Sequence, residues 1–391
     1  MSPVAIRRWA WLHKWSSLVC TVFMLLLCIT GLPLIYHHEI GHLLGNEAEP
    51  AKVAAGTPHA GVDRIIAAGK ALYPDKVMMF MSQEDDEPNI WNLTLGDHPN
   101  DDRNYVPLAI DARTTEVLKV HDFENSFIGV MFHLHVDLYA GLYGKLFLGF
   151  MGLLLVIAII SGVVLYSPFM RKLDFGTVRR ERAPRLKWLD IHNLLGVVTL
   201  VWALVVGATG IINTWADLLV KYWQHTEVSQ MLEPYRKLPP LSLDKQGSVA
   251  TAMSNALARE PGMKIAFVAF PGTLYASPHH YGVFLRGDEA LTSRLYKPVL
   301  VDAGTSQVTD SLELPWYLTA LLVSQPLHFG DYGGPVMQFL WAMLDIATIV
   351  VLGSGLYLWL KRGITVPKQE EEGAVQDDAV LPALARAGEA P

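Results

Sequence analysis

Four histidines combine a residue type and a spacing that can do chemistry: His13, His135, His192 and His328. Each stands at the end of an apolar run, and each is followed at a fixed distance by a pair of small residues. His13 and His192 are both followed 18 residues later by the glycine of a Thr-Gly pair, Gly31 and Gly210. His135 and His328 are both followed 27 residues later by the glycine of a Ser-Gly pair, Gly162 and Gly355. Ionisable side chains at the ends of membrane spans are costly unless partnered. The repetition sorts them into two pairs, His13 with His192 and His135 with His328. One interfacial histidine alone would simply hydrogen-bond to headgroups. A repeated pair of neutral imidazoles from facing helices suits a six-coordinate haem b iron, which shuttles one electron and binds no substrate.

The surroundings fit that chemistry. Arg8 and Arg185, with Arg7 and Lys187 beside them, stand near His13 and His192 in the chain and have the charge to pair with haem propionates. Asp137 and Asp331 could fix the imidazole tautomers of the other pair. Gly141, Gly144, Gly333 and Gly334 are small enough to admit a planar macrocycle. His133 rivals His135 as a ligand, although only His135 aligns with His328 across the repeat. The chain has two cysteines, Cys20 and Cys28, and no Cys-x-x-Cys-His, so haem would be held by axial ligands alone. The cysteines lie about 80° apart around a helix and read as small apolar residues. His37, His38 and His42, like His279 and His280, have no counterpart in the other repeat and read as interfacial or surface groups.

These histidines need a membrane scaffold to hold them. The chain has 391 residues, 51% of them hydrophobic, and a mean hydropathy of +0.26, which excludes a disordered chain and an ordinary soluble domain. Four runs reach the roughly 20 apolar residues a bilayer requires: 16–36, 136–166, 194–216 and 335–361. Lys and Arg gather in 1–15, in 167–193 (Arg171, Lys172, Arg179, Arg180, Arg182, Arg185, Lys187) and at Lys361 and Arg362. By the positive-inside rule these segments are cytoplasmic. The long segments 37–135 and 217–330 are then extracytoplasmic. The first run is too long for a signal peptide and has no small-residue cleavage site after it. Trp9, Trp11, Trp15, Trp188, Trp215, Trp223, Tyr139, Tyr143 and Trp316 make an aromatic belt.

The chain is thus a tandem repeat of span, external module, span. Within the modules, 106–117 and 297–308 share a strand, an Asp-Ala-x-Thr turn and a second strand. Two spans per repeat relate the copies by an axis along the membrane normal. Helices are expected over 62–73 and 248–258, and strands over 77–81, 90–95, 265–270, 281–286 and 297–301. The fold class is therefore membrane α-helical, four transmembrane helices with two small α+β domains. The acidic, Ala-rich segment 362–391 reads as a disordered tail. Geometry carries one warning: along an unbroken helix His135 lies about 40 Å from Gly162, which would set the two haems far apart.

No P-loop, dinucleotide fingerprint or His-Glu-x-x-His is present, nothing points to nucleic acid, and the cytoplasmic segments are too short for a flavin or nicotinamide domain. Electrons must come from a separate cytoplasmic donor or from quinol. The segments RRWAWLHKWSSL, KWLDIHNLLGVVTLVWALVVGATG, FHLHVDLYAGLYGKLFLGFMGLLLVIAIISGVVLY and LHFGDYGGPVMQFLWAMLDIATIVVLGSGLYLWLKR resemble the PepSY-associated transmembrane family. The modules resemble PepSY domains at Ile110-Asp111-Ala112 and Val301-Asp302-Ala303. One departure is Ser17, where the pattern kept at His192 and Gly196 has glycine. The resemblance covers about residues 5–365. It implies a Gram-negative inner-membrane protein, a di-haem reductase delivering electrons to periplasmic ferric siderophore, and siderophore-uptake membrane proteins as partners. The alternatives are a PepSY membrane protein that binds a protease or assembly partner without haem, and a haem electron-transfer subunit serving another acceptor.

Overall fold

A computed structural model describes residues 1–101, 103–118, 123–170, 174–242, 245–289 and 292–361. Arg171, Lys172, Arg362 and the segment 362–391 lie outside the described residues. The helices are α1 (Pro3–Ile35), α2 (His37–Leu43), α3 (Val62–Leu72), α4 (Phe127–Val136), α5 (Gly141–Met170), α6 (Pro184–Val198), α7 (Leu200–Asn213), α8 (Ala216–Trp223), α9 (Ser229–Leu232), α10 (Val249–Arg259), α11 (Trp316–Phe329) and α12 (Gly334–Leu360). The strands are β1 (Val77–Ser82), β2 (Ile90–Gly96), β3 (Val106–Asp111), β4 (Val117–Leu118), β5 (Met263–Ala269), β6 (His280–Gly287), β7 (Tyr296–Asp302) and β8 (Val308–Ser311).

Among the described residues, three helices are long and apolar enough to cross a membrane: α1, α5 and the segment ending in α12. A bent helix pair makes a fourth if it is counted as one span. The span expected over 194–216 is α6 and α7, which meet at 66° around Thr199. Thr199 is buried and returns its hydroxyl to the Leu195 carbonyl, the back-bonding that bends helices. The helices also extend beyond the apolar runs: α1 begins at Pro3 and α6 at Pro184, inside segments expected to be loop. In the bundle α1 packs along α5 and α12, α5 along α7, and α12 along α6.

At the other end of the bundle the expected pair of α+β domains is one continuous eight-stranded sheet, ordered β4-β3-β2-β1-β5-β6-β7-β8. The two modules meet where β1 pairs antiparallel with β5, Met81 opposite Val268. Edge-to-edge pairing removes two exposed strand edges, each otherwise a template for association. On one face lie α3 and α10, burying Ile65, Ala252, Met253 and Ala256 against Leu93, Ile110, Val283 and Val301. Asp63 of α3 accepts hydrogen bonds from Ser248 Oγ (2.6 Å) and Val249 N (2.8 Å), capping α10 from the other module. On the opposite face Trp223, Val228, Leu318 and Leu321 pack with Phe284 and Ala269. This second core seats the sheet on α8 and α11, so the sheet fixes the helix that carries His328.

The repeated Asp-Ala-x-Thr segment is a structural staple. Asp111 Oδ1 accepts from the amides of Arg113 (2.8 Å) and Thr114 (3.0 Å), and Asp302 Oδ1 from those of Gly304 (3.0 Å) and Thr305 (2.8 Å). Thr115 and Ser306 take the same left-handed conformation, φ 65° and 56°. Burial by itself would raise the Asp111 pKa. The Arg113 guanidinium and the amides of Thr114, Arg113 and Ala51 outweigh that and hold it well below the usual carboxylate range. A depressed value contributes stability above the unfolded carboxyl pKa of about 3.9, lost as pH falls through the lower folded value. Asp111→Asn is therefore expected to cost about 3 kcal/mol at neutral pH, since Arg113 loses its buried partner. Thermal unfolding of the full chain should show this deficit near neutrality and see it shrink in strong acid.

Candidate haem-binding site

The bundle gives each of the four histidines the same setting. His13 of α1 directs Nδ1 at the Ala158 carbonyl of α5 (2.8 Å), with Ser161 Oγ at 3.3 Å. His192 of α6 directs Nδ1 at Val351 O of α12 (3.0 Å), with Ser354 Oγ at 3.1 Å. His135 of α4 directs Nδ1 at Leu27 O of α1 (3.0 Å), with Thr30 Oγ1 at 3.1 Å. His328 of α11 directs Nδ1 at Val206 O of α7 (2.9 Å), with Thr209 Oγ1 at 3.4 Å. A carbonyl accepts only, so Nδ1 is the protonated nitrogen in every case. Nε2 is left with its lone pair and, among the described residues, no hydrogen-bond partner. This is the tautomer an imidazole needs to ligate a metal, fixed by an outer hydrogen bond.

The glycines of the repeat explain how the rings get so close to the neighbouring helix. A Cβ on Gly31 would lie 3.0 Å from His135 Cε1, and one on Gly210 would lie 3.0 Å from His328 Cε1. On Gly162 it would lie 3.2 Å from His13 Cε1, and on Gly355 3.4 Å from His192 Cε1. Each glycine thus serves a histidine on a different helix. The intervals of 18 and 27 residues are span lengths: a histidine at one end of a span is followed by the glycine that seats another histidine at the other end.

For His135 and His328 the pairing by repeat register is also a pairing in space. The His135 and His328 rings face each other with centroids 6.3 Å apart and planes at 60°. An imidazole nitrogen bonds a metal at about 2 Å, so two imidazoles on opposite sides of one ion have centroids about 6 Å apart. The observed separation fits one iron between them. His13 and His192 lie toward the opposite end of the bundle, on α1 and α6, which both pack against α12. One turn after His192, Gly196 meets nothing within 4 Å, so the helix surface there is open. Ser17, its counterpart, turns its hydroxyl back to the His13 carbonyl at 2.5 Å.

His133 is drawn elsewhere. Its Nε2 meets Glu124 Oε2 at 2.8 Å and its Nδ1 lies 3.5 Å from Asp137 Oδ1. Asp331 pairs with Arg294. Neither aspartate serves the four histidines as an outer acceptor; backbone carbonyls do. The glycines expected to admit a macrocycle shape the chain around them, and a Cβ on Gly141 or Gly334 would meet nothing within 4 Å. Gly141 (φ 56°) and Gly334 (φ 60°) make left-handed turns, a Cβ on Gly144 would fall 1.7 Å from the Asp137 carbonyl, and one on Gly333 would meet Met337. With Leu138 and Tyr139 also at positive φ, the chain reverses between α4 and α5. That reversal folds α4 back along α1 and removes the expected 40 Å separation. His13 and Leu27 are then about 20 Å apart along α1. Arg8 and Arg185 are exposed and have no carboxylate partner among the described residues. His38 lies 3.2 Å from Asp86, and His280 is buried against Ser277 and Tyr235. No group of three or more His, Cys, Asp or Glu among the described residues could hold a bare metal ion.

Residues 10–362 match the family described as the PepSY-associated TM region. The chain belongs to that family. It is also similar to the uncharacterized protein PA4219 of Pseudomonas aeruginosa, 26% identical over 259 residues. That match covers 61% of this chain and 65% of the relative, so the chain spans somewhat less than two thirds of the curated relative it matches. All four histidines and their four glycines lie inside the family match.

Proposed function

We propose that the protein is a di-haem b reductase that carries electrons across a bacterial inner membrane, from a cytoplasmic or quinol donor to ferric siderophore at the sheet side. The observation that carries this reading is the fourfold repetition of an Nδ1-anchored, Nε2-free histidine seated on a glycine, with His135 and His328 facing each other. Haem b, when bound, would supply a one-electron couple. His13 and His192 would hold one haem near the basic loop, with Arg8 and Arg185 available to its propionates; His135 and His328 would hold the other beneath the sheet. The carbonyls of Ala158, Val351, Leu27 and Val206 keep each ring in the ligating tautomer. The buried Ser and Thr hydroxyls crowd the same Nδ1 and bar rotation of the ring. Electrons delivered outward would convert Fe(III) to Fe(II), which hard oxygen donors hold less firmly, and so release the iron.

The purified full chain is expected to show a Soret band and a haem-to-protein ratio of about two by pyridine haemochrome. A protein without that band would instead favour a PepSY membrane protein that acts by binding a partner. Dithionite-reduced protein mixed anaerobically with ferric siderophore should reoxidise; haem that stays reduced points to another acceptor. His133→Ala is expected to leave the spectrum and the haem ratio unchanged, because its ring is engaged with Glu124.

A further inference from the structure

At one buried helix crossing the two repeats carry different chemistry. The register that aligns His135 with His328 aligns Gly152 of α5 with Asp345 of α12, and the register that aligns His13 with His192 aligns Gly207 of α7 with Cys28 of α1. In one half of the bundle Gly152 and Gly207 face each other, a Cβ on Gly152 lying 3.8 Å from the Gly207 carbonyl. In the other half the same two places hold a carboxyl and a thiol. Helix packing at this crossing therefore does not need an acid. Asp345 is 5% exposed. The Cys28 thiol lies close enough to interact with it, and its Oδ2 is buried with no partner among the described residues. An ionisable side chain in this position is costly and is kept for a function.

Its place relates it to the sheet-side histidines. Cys28 adjoins Leu27, whose carbonyl holds His135. One turn before Asp345, Trp341 donates its indole N–H to the His328 carbonyl at 3.2 Å. The other titratable groups on α12 and the elements packed against it are Arg7, Arg8, His13, Lys14 and Cys20 of α1, Arg185, Lys187, Asp190 and His192 of α6, Asp331 and Tyr332 before α12, and Tyr357 on α12 itself. Asp190 is paired with Arg179 and Asp331 with Arg294, His13 and His192 lie at the far end, and only Cys28 reaches Asp345. No Lys or Arg among the described residues pairs with it.

We propose that Asp345 is a redox-linked proton site: its carboxylate takes up one proton as the His135–His328 site gains one electron, and releases it as that electron leaves. The proposal rests on the di-haem reading. The balance is one electron from the donor, reducing Fe(III) to Fe(II), and one proton from water, converting the Asp345 carboxylate to a carboxylic acid; no bond to iron forms or breaks. The physical reason is that adding negative charge inside a low-dielectric bundle is strongly unfavourable unless a nearby proton offsets it. The Oδ2 atom, with no donor spent on it, is the acceptor for that proton.

The test is an optical redox titration of the purified full chain at several pH values. The expected result is that one of two midpoints falls by up to ~59 mV per pH unit. In Asp345→Asn, which keeps shape and size, that slope should vanish while the second midpoint is unmoved; Asp345→Glu should restore it. Reduced-minus-oxidised infrared spectra of the unmodified protein should show the carbonyl stretch of a carboxylic acid appearing on reduction. That measurement decides the matter should the variants fail to fold. A pH-independent pair of midpoints, a slope surviving in Asp345→Asn, or no such carboxyl band overturns the proposal and leaves the haem reading standing. Absence of a Soret band overturns both.

Discussion

Purified His328→Ala protein is expected to carry about one haem per chain where the unmodified protein carries about two. The reason is geometric. His135 and His328 face each other at 6.3 Å between ring centroids, and each is held by a carbonyl on a different helix, Leu27 on α1 and Val206 on α7. Removing one ring leaves an open coordination position and no nearby substitute, because His133 is engaged with Glu124. His13 and His192 are untouched, so the second haem remains. Pyridine haemochrome on the variant measures the ratio, and equilibrium titration resolves which midpoint is gone. A ratio unchanged from the unmodified protein would show that these histidines do not hold haem. Loss of all haem would show that the two sites do not assemble independently.

Gly210→Val is expected to have the same effect without removing any ligand atom. A Cβ there already lies 3.0 Å from His328 Cε1, and the two methyl groups of valine would push the ring off the Val206 carbonyl. The imidazole cannot retreat, since the opposite ring occupies the other side. Gly31→Val should act equally on His135. Gly355→Ala is the control: its Cβ would stand 3.4 Å from His192 Cε1, ordinary contact, and should keep haem. The haem-to-protein ratio is thus expected to fall roughly twofold in Gly210→Val and to be unchanged in Gly355→Ala. An intact spectrum in Gly210→Val would mean that the ring seat is looser than its contacts imply.

Much of this was legible in the chain because the repeat itself carries information. The recurrence of His13 as His192 and of His135 as His328 fixed the pairing, and only His135 fell in register where His133 did not. The Asp-Ala-x-Thr turns were legible because each uses a local hydrogen-bond pattern, from Asp111 or Asp302 to amides two and three residues ahead. Asp345 is an acid within an apolar span, and its glycine counterpart becomes meaningful only once the helices are seen to cross there.

Other features depended on contacts distant in sequence. Spacing tied each histidine to a glycine of its own span, whereas packing seats it on a glycine of another helix. The reversal at Leu138–Gly141 was hidden because two non-glycine residues adopt positive φ there, a conformation their types do not announce. The two modules read as separate domains because each has its own helix and strands, and only strand pairing reveals the joint at Met81 and Val268. Sequence by itself determined which residues are partners and how the chain repeats, since both are written as residue type and interval. Tertiary structure decided the distances, the tautomers and the single sheet, because these arise from side chains meeting carbonyls and glycines more than a hundred residues away.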